Sequence, residues 1–161
     1  VLSRRQRQMC IRDRFDAAHE FNLRGDVLFG GFYVLELLSR LIAERQKEPE
    51  IFAGAVSALT AMEAGHELQA VLRCFELDLL GQLGYEVVFD QDAEEGSAIA
   101  PDVYYRYQTQ VGFTRVPQGR EIESDPTVVQ GRWLQCIWRR DFDQPEARRA
   151  AKHITLSLIH I

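Results

Sequence analysis

Three sets of side chains in this 161-residue chain are of types that could do chemistry: cysteines with a nearby histidine, a run of carboxylates, and arginines in two places. A cysteine acts as a nucleophile only as its thiolate, which needs a base or a cation beside it. His66 lies two turns before Cys74, on the same helix or in the loop ahead of it, and the nearby sequence offers no other base. Cys74 therefore reads as structural. Cys74 and Cys136 are far apart in sequence, a spacing that makes neither a disulfide framework nor a zinc site. The carboxylates Asp90, Asp92, Glu94 and Glu95 crowd one turn as calcium ligands would. An EF-hand loop starting at Asp90 needs Gly at its sixth place and Glu at its twelfth, where Glu95 and Pro101 stand. A solvated acidic turn is the better reading. There is no Ser-His-Asp order, glycine-rich phosphate loop or HExxH pattern. Nothing here supports an enzyme, a cofactor or a metal.

The arginines carry more. Arg73 stands between Leu72 and Phe75, at the edge of an apolar stripe, where helix spacing offers Glu76 or Gln69 as a surface partner. Arg139, Arg140, Arg148, Arg149 and Lys152 form a second group near the C-terminal end. Plainly read, they are solvated faces of two short helices. Functionally read, they touch DNA phosphates weakly, with Trp133 or Trp138 placed to stack on bases. The two tryptophans stand five apart among apolar residues and read as core.

The elements that must position these groups follow from periodicity. Leu68, Leu72, Phe75, Leu79 and Leu83 recur at three- and four-residue steps over Glu67 to Leu83, one face of a helix about four turns long. Gly84 suits the left-handed residue that closes such a helix, with Tyr85 as its apolar contact. Upstream, Val27, Phe29, Phe32, Leu37 and Leu41 place a helix from Asp26, its cap, to about Arg45. Gly30 and Gly31 inside it imply that another element packs close there. Pro49 opens a second helix that Gly65 ends. These three make an antiparallel helical core. Val87–Phe89 reads as a short strand, and Val103–Tyr107 with Gly112–Val116 as a hairpin. Pro117 and Pro126 bound a loop, Val129 to Arg139 reads as a helix, and Pro145 opens a last helix reaching about Thr155. The fold class is mainly α, with a small β-hairpin insertion.

Charge narrows the partners. The chain has 19 basic and 24 acidic residues, net −5. Residues 1–14 hold five Arg and one Asp, so without them the balance is −9. A domain that acidic does not bind phosphates all over its surface. Gly84–Pro126 holds nine acids against three Arg, whereas Gly131–Thr155 holds six basic residues against three acids. Any contact with nucleic acid belongs at the C-terminal end. No apolar run approaches the ~18 residues that span a bilayer, no signal peptide is visible, and unpaired cysteines suit a reducing cytoplasm.

The run Leu72-Arg73-Cys74-Phe75-Glu76-Leu77-Asp78-Leu79-Leu80-Gly81-Gln82-Leu83-Gly84-Tyr85 resembles a signature of the RecO family of bacterial recombination mediators, in its helical C-terminal domain. Gly31-Phe32-Tyr33-Val34-Leu35-Glu36-Leu37-Leu38-Ser39-Arg40 is similar to another family helix, with Leu35 where Asn is usual. Tyr105-Arg106-Tyr107 with Gly112-Phe113 resembles the family's strand pair, and Gly131-Arg132 and Arg149-Ala150-Ala151-Lys152 its closing helices. The blocks occur in family order over roughly Phe21 to Thr155. The resemblance implies a DNA repair protein that anneals single strands and, with RecR, loads RecA onto DNA coated by single-stranded DNA-binding protein. It implies that this domain holds the acidic, phenylalanine-ending tail of that protein, through Arg73, Leu83 and Tyr85. It also implies that DNA is bound mainly by an N-terminal OB-fold domain outside this chain. Some relatives carry a cysteine zinc knuckle after the LGY motif; Asp92 stands at its first cysteine, so zinc is not expected and the loop must be held by packing through Tyr104, Tyr105 and Tyr107. The alternative is a helical scaffold module with no repair role.

The ends read differently. Gln6–Arg14 and Ser157–Ile161 resemble translated sequencing adapter, which assigns 1–14 and 156–161 to artefact and leaves 15–155 as the domain. The rival reading of the first stretch is a basic nucleic-acid-binding arm.

Overall fold

The run from Leu68 to Gln82 forms a helix with apolar residues on two sides, not one, and the rest of the fold is arranged around it. The computed structural model describes residues 20–42, 48–117, 125 and 127–159. The elements are α1 (Asp26–Leu41), α2 (Pro49–Glu63), α3 (Leu68–Gln82), β1 (Tyr104–Gln108), β2 (Gly112–Val116), β3 (Val128–Gln130), α4 (Gly131–Trp138) and α5 (Pro145–Ile159). The architecture is mainly α, with a small antiparallel sheet inserted between α3 and α4.

Leu72, Phe75 and Leu79 of α3 pack with Val34 and Leu37 of α1 and with Ile51, Ala55, Ala58 and Met62 of α2. Leu77, with half-buried Ala70 and Cys74, joins a second cluster of Tyr105, Phe113 and Val129 from the sheet, Leu134 and Ile137 of α4, and Ala151 and Ile154 of α5. A helix that is apolar nearly all round belongs in the middle of a domain, and α3 is that helix.

Its ends follow from local chemistry. The Glu67 side chain caps the start by accepting from the Ala70 N–H at 2.6 Å. At the other end the Gly84 N–H reaches the Gly81 carbonyl at 3.0 Å and the Tyr85 N–H reaches Leu80 at 2.8 Å. That double closure needs a left-handed residue, and Gly84 has φ +84°. Tyr85 itself turns outward and is 62% exposed. The close approach implied by Gly30 and Gly31 is present. A Cβ on Gly30 would stand 2.6 Å from Leu68 Cδ1, and one on Gly31 2.6 Å from Leu23 Cδ1.

Other expectations need correction. Asp26 is inside α1 and caps nothing with its side chain; Gly25 is the cap residue, and the helix stops at Leu41 because Ile42 is extended. Residues 43–47, the stretch between Pro117 and Asp125, and residues 1–19 lie outside the described residues, so the reading of 1–14 gains no structural counterpart. Val87–Phe89 forms no strand. The hairpin exists, with Tyr104 opposite Val116 and Gln108 opposite Gly112. A third strand, β3, pairs Tyr105 with Val129 on the other side of β1. Val129 is therefore the middle of a strand where a helix was expected to start, and α4 begins at Gly131. The backbone there leaves no room for a side chain, since a Cβ on Gly131 would lie 2.0 Å from the Ala100 carbonyl oxygen. The last helix continues beyond Thr155 to Ile159, with Leu158 against the sheet cluster and Ile159 against the helical one. Of the residues after Thr155, Leu158 and Ile159 are the ones seated against the two clusters, and Ser157 is exposed.

The acidic turn is built differently from either sequence reading. Asp92 is buried, and its Oδ1 accepts from the backbone N–H groups of Glu94 and Glu95, both at 2.9 Å. Its Oδ2 meets Arg115 Nε at 2.8 Å and accepts from Ser97 Oγ at 3.3 Å. The loop is thus pinned by a carboxylate, with Tyr105 Oη accepting from the Ala100 N–H as its second tie. Tyrosine packing alone does not hold it.

Candidate partner-binding site

Arg73, expected at a helix edge, is 2% exposed. Its Nη2 donates to Glu76 Oε1 at 2.7 Å, the i,i+3 partner that helix spacing offers, but inside the domain and not on its surface. Glu76 is fully buried and accepts two further hydrogen bonds, from Tyr33 Oη on α1 at 2.8 Å and from Thr155 Oγ1 on α5 at 2.5 Å. One carboxylate therefore ties three helices together. Burial pushes the Glu76 carboxyl above the usual range, with Arg73, Thr155 and Tyr33 pulling it back. The same burial, and the Glu76 charge, push the Tyr33 phenol upward. Arg73 Nε and Nη1 are buried without hydrogen-bond partners.

The three residues assigned to a partner's tail do not converge. Leu83 is half-buried against the α1–α2–α3 cluster. It lies ten residues beyond Arg73, about 15 Å along the helix axis. Tyr85, largely exposed, lines a cleft of about 240 Å³ with Leu77, Leu80, Phe89, Trp138 and Arg140. That cleft joins residues read separately in the sequence, Tyr85 from the tail group and Arg140 from the basic group.

Arg140 holds its place by an unusual backbone. It follows the end of α4, where its N–H bonds the Ile137 carbonyl at 3.0 Å and the Asp141 N–H bonds Cys136 at 2.9 Å. This is the closure that glycine provides at Gly84, yet here an arginine has φ +58°. A non-glycine residue in that region costs about 1–2 kcal/mol. Strain of this kind concentrates where a side chain must be delivered to a particular place. The guanidinium sits 2.7 Å from Asp78 Oδ1, a pair exposed on both sides and therefore easily exchanged. Glu86 is the acidic member of the cleft wall.

Trp138, read as core, is 56% exposed, and Trp133 is half-buried against the sheet cluster. Trp138 also lines a second cleft of about 290 Å³ with Phe89, Ile99, Gln135 and Arg139. The five basic residues do not make one patch. Arg139 and Arg140 flank Trp138. Arg148 donates to the Phe142 carbonyl at 2.7 Å and holds the α4–α5 loop. Arg149 and Lys152 are exposed at i,i+3 on α5. Sequence reasoning missed Glu76, Tyr33 and Thr155 as a buried network. A glutamate three residues after an arginine on an apolar helix was the available signal.

His66 and Cys74 line one groove of about 430 Å³ between α2 and α3, floored by Ala58, Ala61, Val71 and Phe75. Burial raises the Cys74 thiol above its usual range, and burial then Asp141 does the same at Cys136, which keeps both protonated near neutrality. Among the described residues no group of three or more His, Cys, Asp or Glu could hold a metal ion. Among them, too, no helix is long and apolar enough to cross a membrane.

The elements thus define a mainly α-helical domain with a cleft lined by Tyr85, Trp138 and Arg140. Residues 24–160 match the profile of the family described as Recombination protein O C terminal. The chain is 36% identical over 137 residues to a protein of Methylococcus capsulatus named DNA repair protein RecO, covering 85% of this chain and 54% of that protein. Proteins of the same name are 37% identical over 132 residues in Pseudomonas putida (82% of this chain, 56% of that protein) and 36% identical over 139 in Actinobacillus succinogenes (86% and 56%). The chain belongs to the RecO family. It spans about half the length of the curated relatives it matches.

Proposed function

We propose that this chain is the helical part of a cytoplasmic DNA repair protein, a recombination mediator that works by binding and displacement, without bond chemistry. The whole protein anneals single strands and, with RecR, loads RecA onto DNA coated by single-stranded DNA-binding protein. The share of this domain is to hold the acidic, phenylalanine-ending tail of the coating protein. Family membership supports the repair role. The tail reading is carried by the cleft that Tyr85, Trp138 and Arg140 line together with Leu77, Leu80 and Phe89. A terminal ring needs an apolar socket, and its carboxylates need a guanidinium that can leave its present partner.

Arg73 cannot be that guanidinium without leaving the buried Glu76 carboxylate short of its close countercharge, so the exposed Arg140 takes that role. Fluorescence anisotropy of a labelled tail peptide with the full chain tests this. Micromolar binding that falls tenfold or more in Trp138→Ala and Arg140→Gly is the expected result. Absence of binding favours a scaffold module without a repair role; binding untouched by both substitutions sinks the cleft. The net charge of −5 and the scattered basic residues also imply poor DNA binding. Submicromolar, salt-sensitive binding of a single-stranded oligonucleotide would overturn that part.

A further inference from the structure

Helix α1 is apolar on both sides. Val34 and Leu37 face the core with Gly30 and Gly31, while Leu28, Phe29, Phe32 and Leu35 face outward, the last three 70%, 58% and 53% exposed. At 100° per residue these four fall within about a third of the helix circumference, opposite the buried side. Polar side chains resume at Glu36 and Arg40, which pair with each other at 2.6 Å and border the stripe. A helix apolar all round is normally covered on every side, and a contiguous exposed stripe of large apolar residues marks a contact face.

The path of the chain says what covers it. Leu23, in the segment just before α1, is seated over Gly31, its Cδ1 where a Cβ on that glycine would collide. Gly31 is flanked on the helix surface by Leu28 at i−3 and Leu35 at i+4. The segment entering α1 therefore runs along the border of the stripe, fastened by the Asn22 N–H to Glu63 Oε1 at 2.7 Å. The relatives have a little under half of their length outside the match, and the matched family part is by its description C-terminal, so that remainder precedes the segment.

We infer that the Leu28–Phe29–Phe32–Leu35 face of α1 is the surface on which the preceding portion of the whole protein packs. The short tether over Gly31 holds that portion at high effective concentration, so a stripe of this size suffices where it would not for a free partner.

The test joins the portion of the Methylococcus capsulatus relative that lies before its match to this chain ahead of Phe21, which keeps Asn22 and Leu23 in place. Position 32 carries p-benzoylphenylalanine, and the full unjoined chain serves as control. The expected result is an intramolecular crosslink from position 32 into the joined portion. Emission of a hydrophobic dye should also fall at least threefold from the unjoined to the joined protein. Phe29→Glu with Phe32→Glu should reduce the dye signal of the unjoined chain by a similar factor and leave its melting temperature unchanged. A crosslink to a second copy in both proteins, no crosslink to the joined portion, or dye emission unchanged on joining overturns the inference.

Discussion

Replacing Arg73 with Met tests whether this residue is a structural member of the core. In the parent protein its guanidinium is the nearest countercharge to Glu76, at 2.7 Å with both side chains almost fully buried. The substitution keeps most of the volume but removes the charge and leaves the Glu76 carboxylate buried with only Tyr33 and Thr155 as donors. Breaking such a pair from one side costs about 3–5 kcal/mol. For a domain of this size that lowers Tm by roughly 6–20 °C. The loss must depend on pH. Glu76 already has its folded pKa raised by burial, with Arg73 the largest influence lowering it. A carboxyl with a raised folded pKa binds more protons folded than unfolded, so stability falls as pH rises above the unfolded value. Removing Arg73 strengthens that dependence. The gap between variant and parent is therefore widest at pH 7 and narrows toward about pH 4.3, where the unfolded carboxyl itself titrates. Urea unfolding followed by circular dichroism at several pH values measures it. A loss below about 1 kcal/mol, or a gap that does not change with pH, refutes the buried-pair account. A large loss also means that weakened tail binding in an Arg73 variant says nothing about where the tail sits.

Arg140→Gly separates site from scaffold: relief of the positive φ returns about 1–2 kcal/mol, the exposed pair with Asp78 gives up at most about 1, and the melting temperature holds or rises while tail-peptide binding is lost. Equal loss of both would show Arg140 to be structural. Gly131→Ala drives a Cβ into the Ala100 carbonyl and should cost about 1–3 kcal/mol or more as an overpacked contact; a variant as stable as the parent in thermal unfolding would mean the β3–α4 junction is misplaced. Arg115→Met removes the partner of Asp92 and should raise the Asp92 pKa, so that hydrogen exchange of the 92–97 amides increases at a higher pH than in the parent; identical exchange profiles would count against the pin.

How much of this was legible depended on whether the determining contacts were local. The α3 helix, its Gly84 stop and the Tyr104–Val116 hairpin announce themselves through spacing and turn residues. Strand β3 did not, because Val128–Gln130 is three residues long and owes its conformation to pairing with β1 across a long loop. The burial of Arg73 was invisible for a similar reason. Its companions Tyr33 and Thr155 are 40 and 82 residues distant, and only the fold brings them to Glu76. The basic group divided because residues adjacent in sequence, such as Arg148 and Arg149, leave their helix in different directions: one toward loop carbonyls, the other to solvent.

Two buried carboxylates show how the domain's halves differ. Glu76 meets side-chain donors from helices that had to be brought together, and desolvation outweighs them, so its pKa is raised. Asp92 meets two backbone N–H groups of its own turn, and those outweigh desolvation, so its pKa is lowered. The signs of their linkage are opposite. Asp92 stabilises its loop at pH values above the unfolded carboxyl and loses that contribution as pH falls through its depressed folded value. Glu76 is costly while ionised, and acid relieves it. Acidification therefore loosens the loop between Asp90 and Ile99 while the three-helix junction is favoured. Phe89, at the start of that loop, belongs to both clefts beside Trp138. The proposed binding face thus borders the acid-sensitive centre through Phe89, and the helical junction rests on the other.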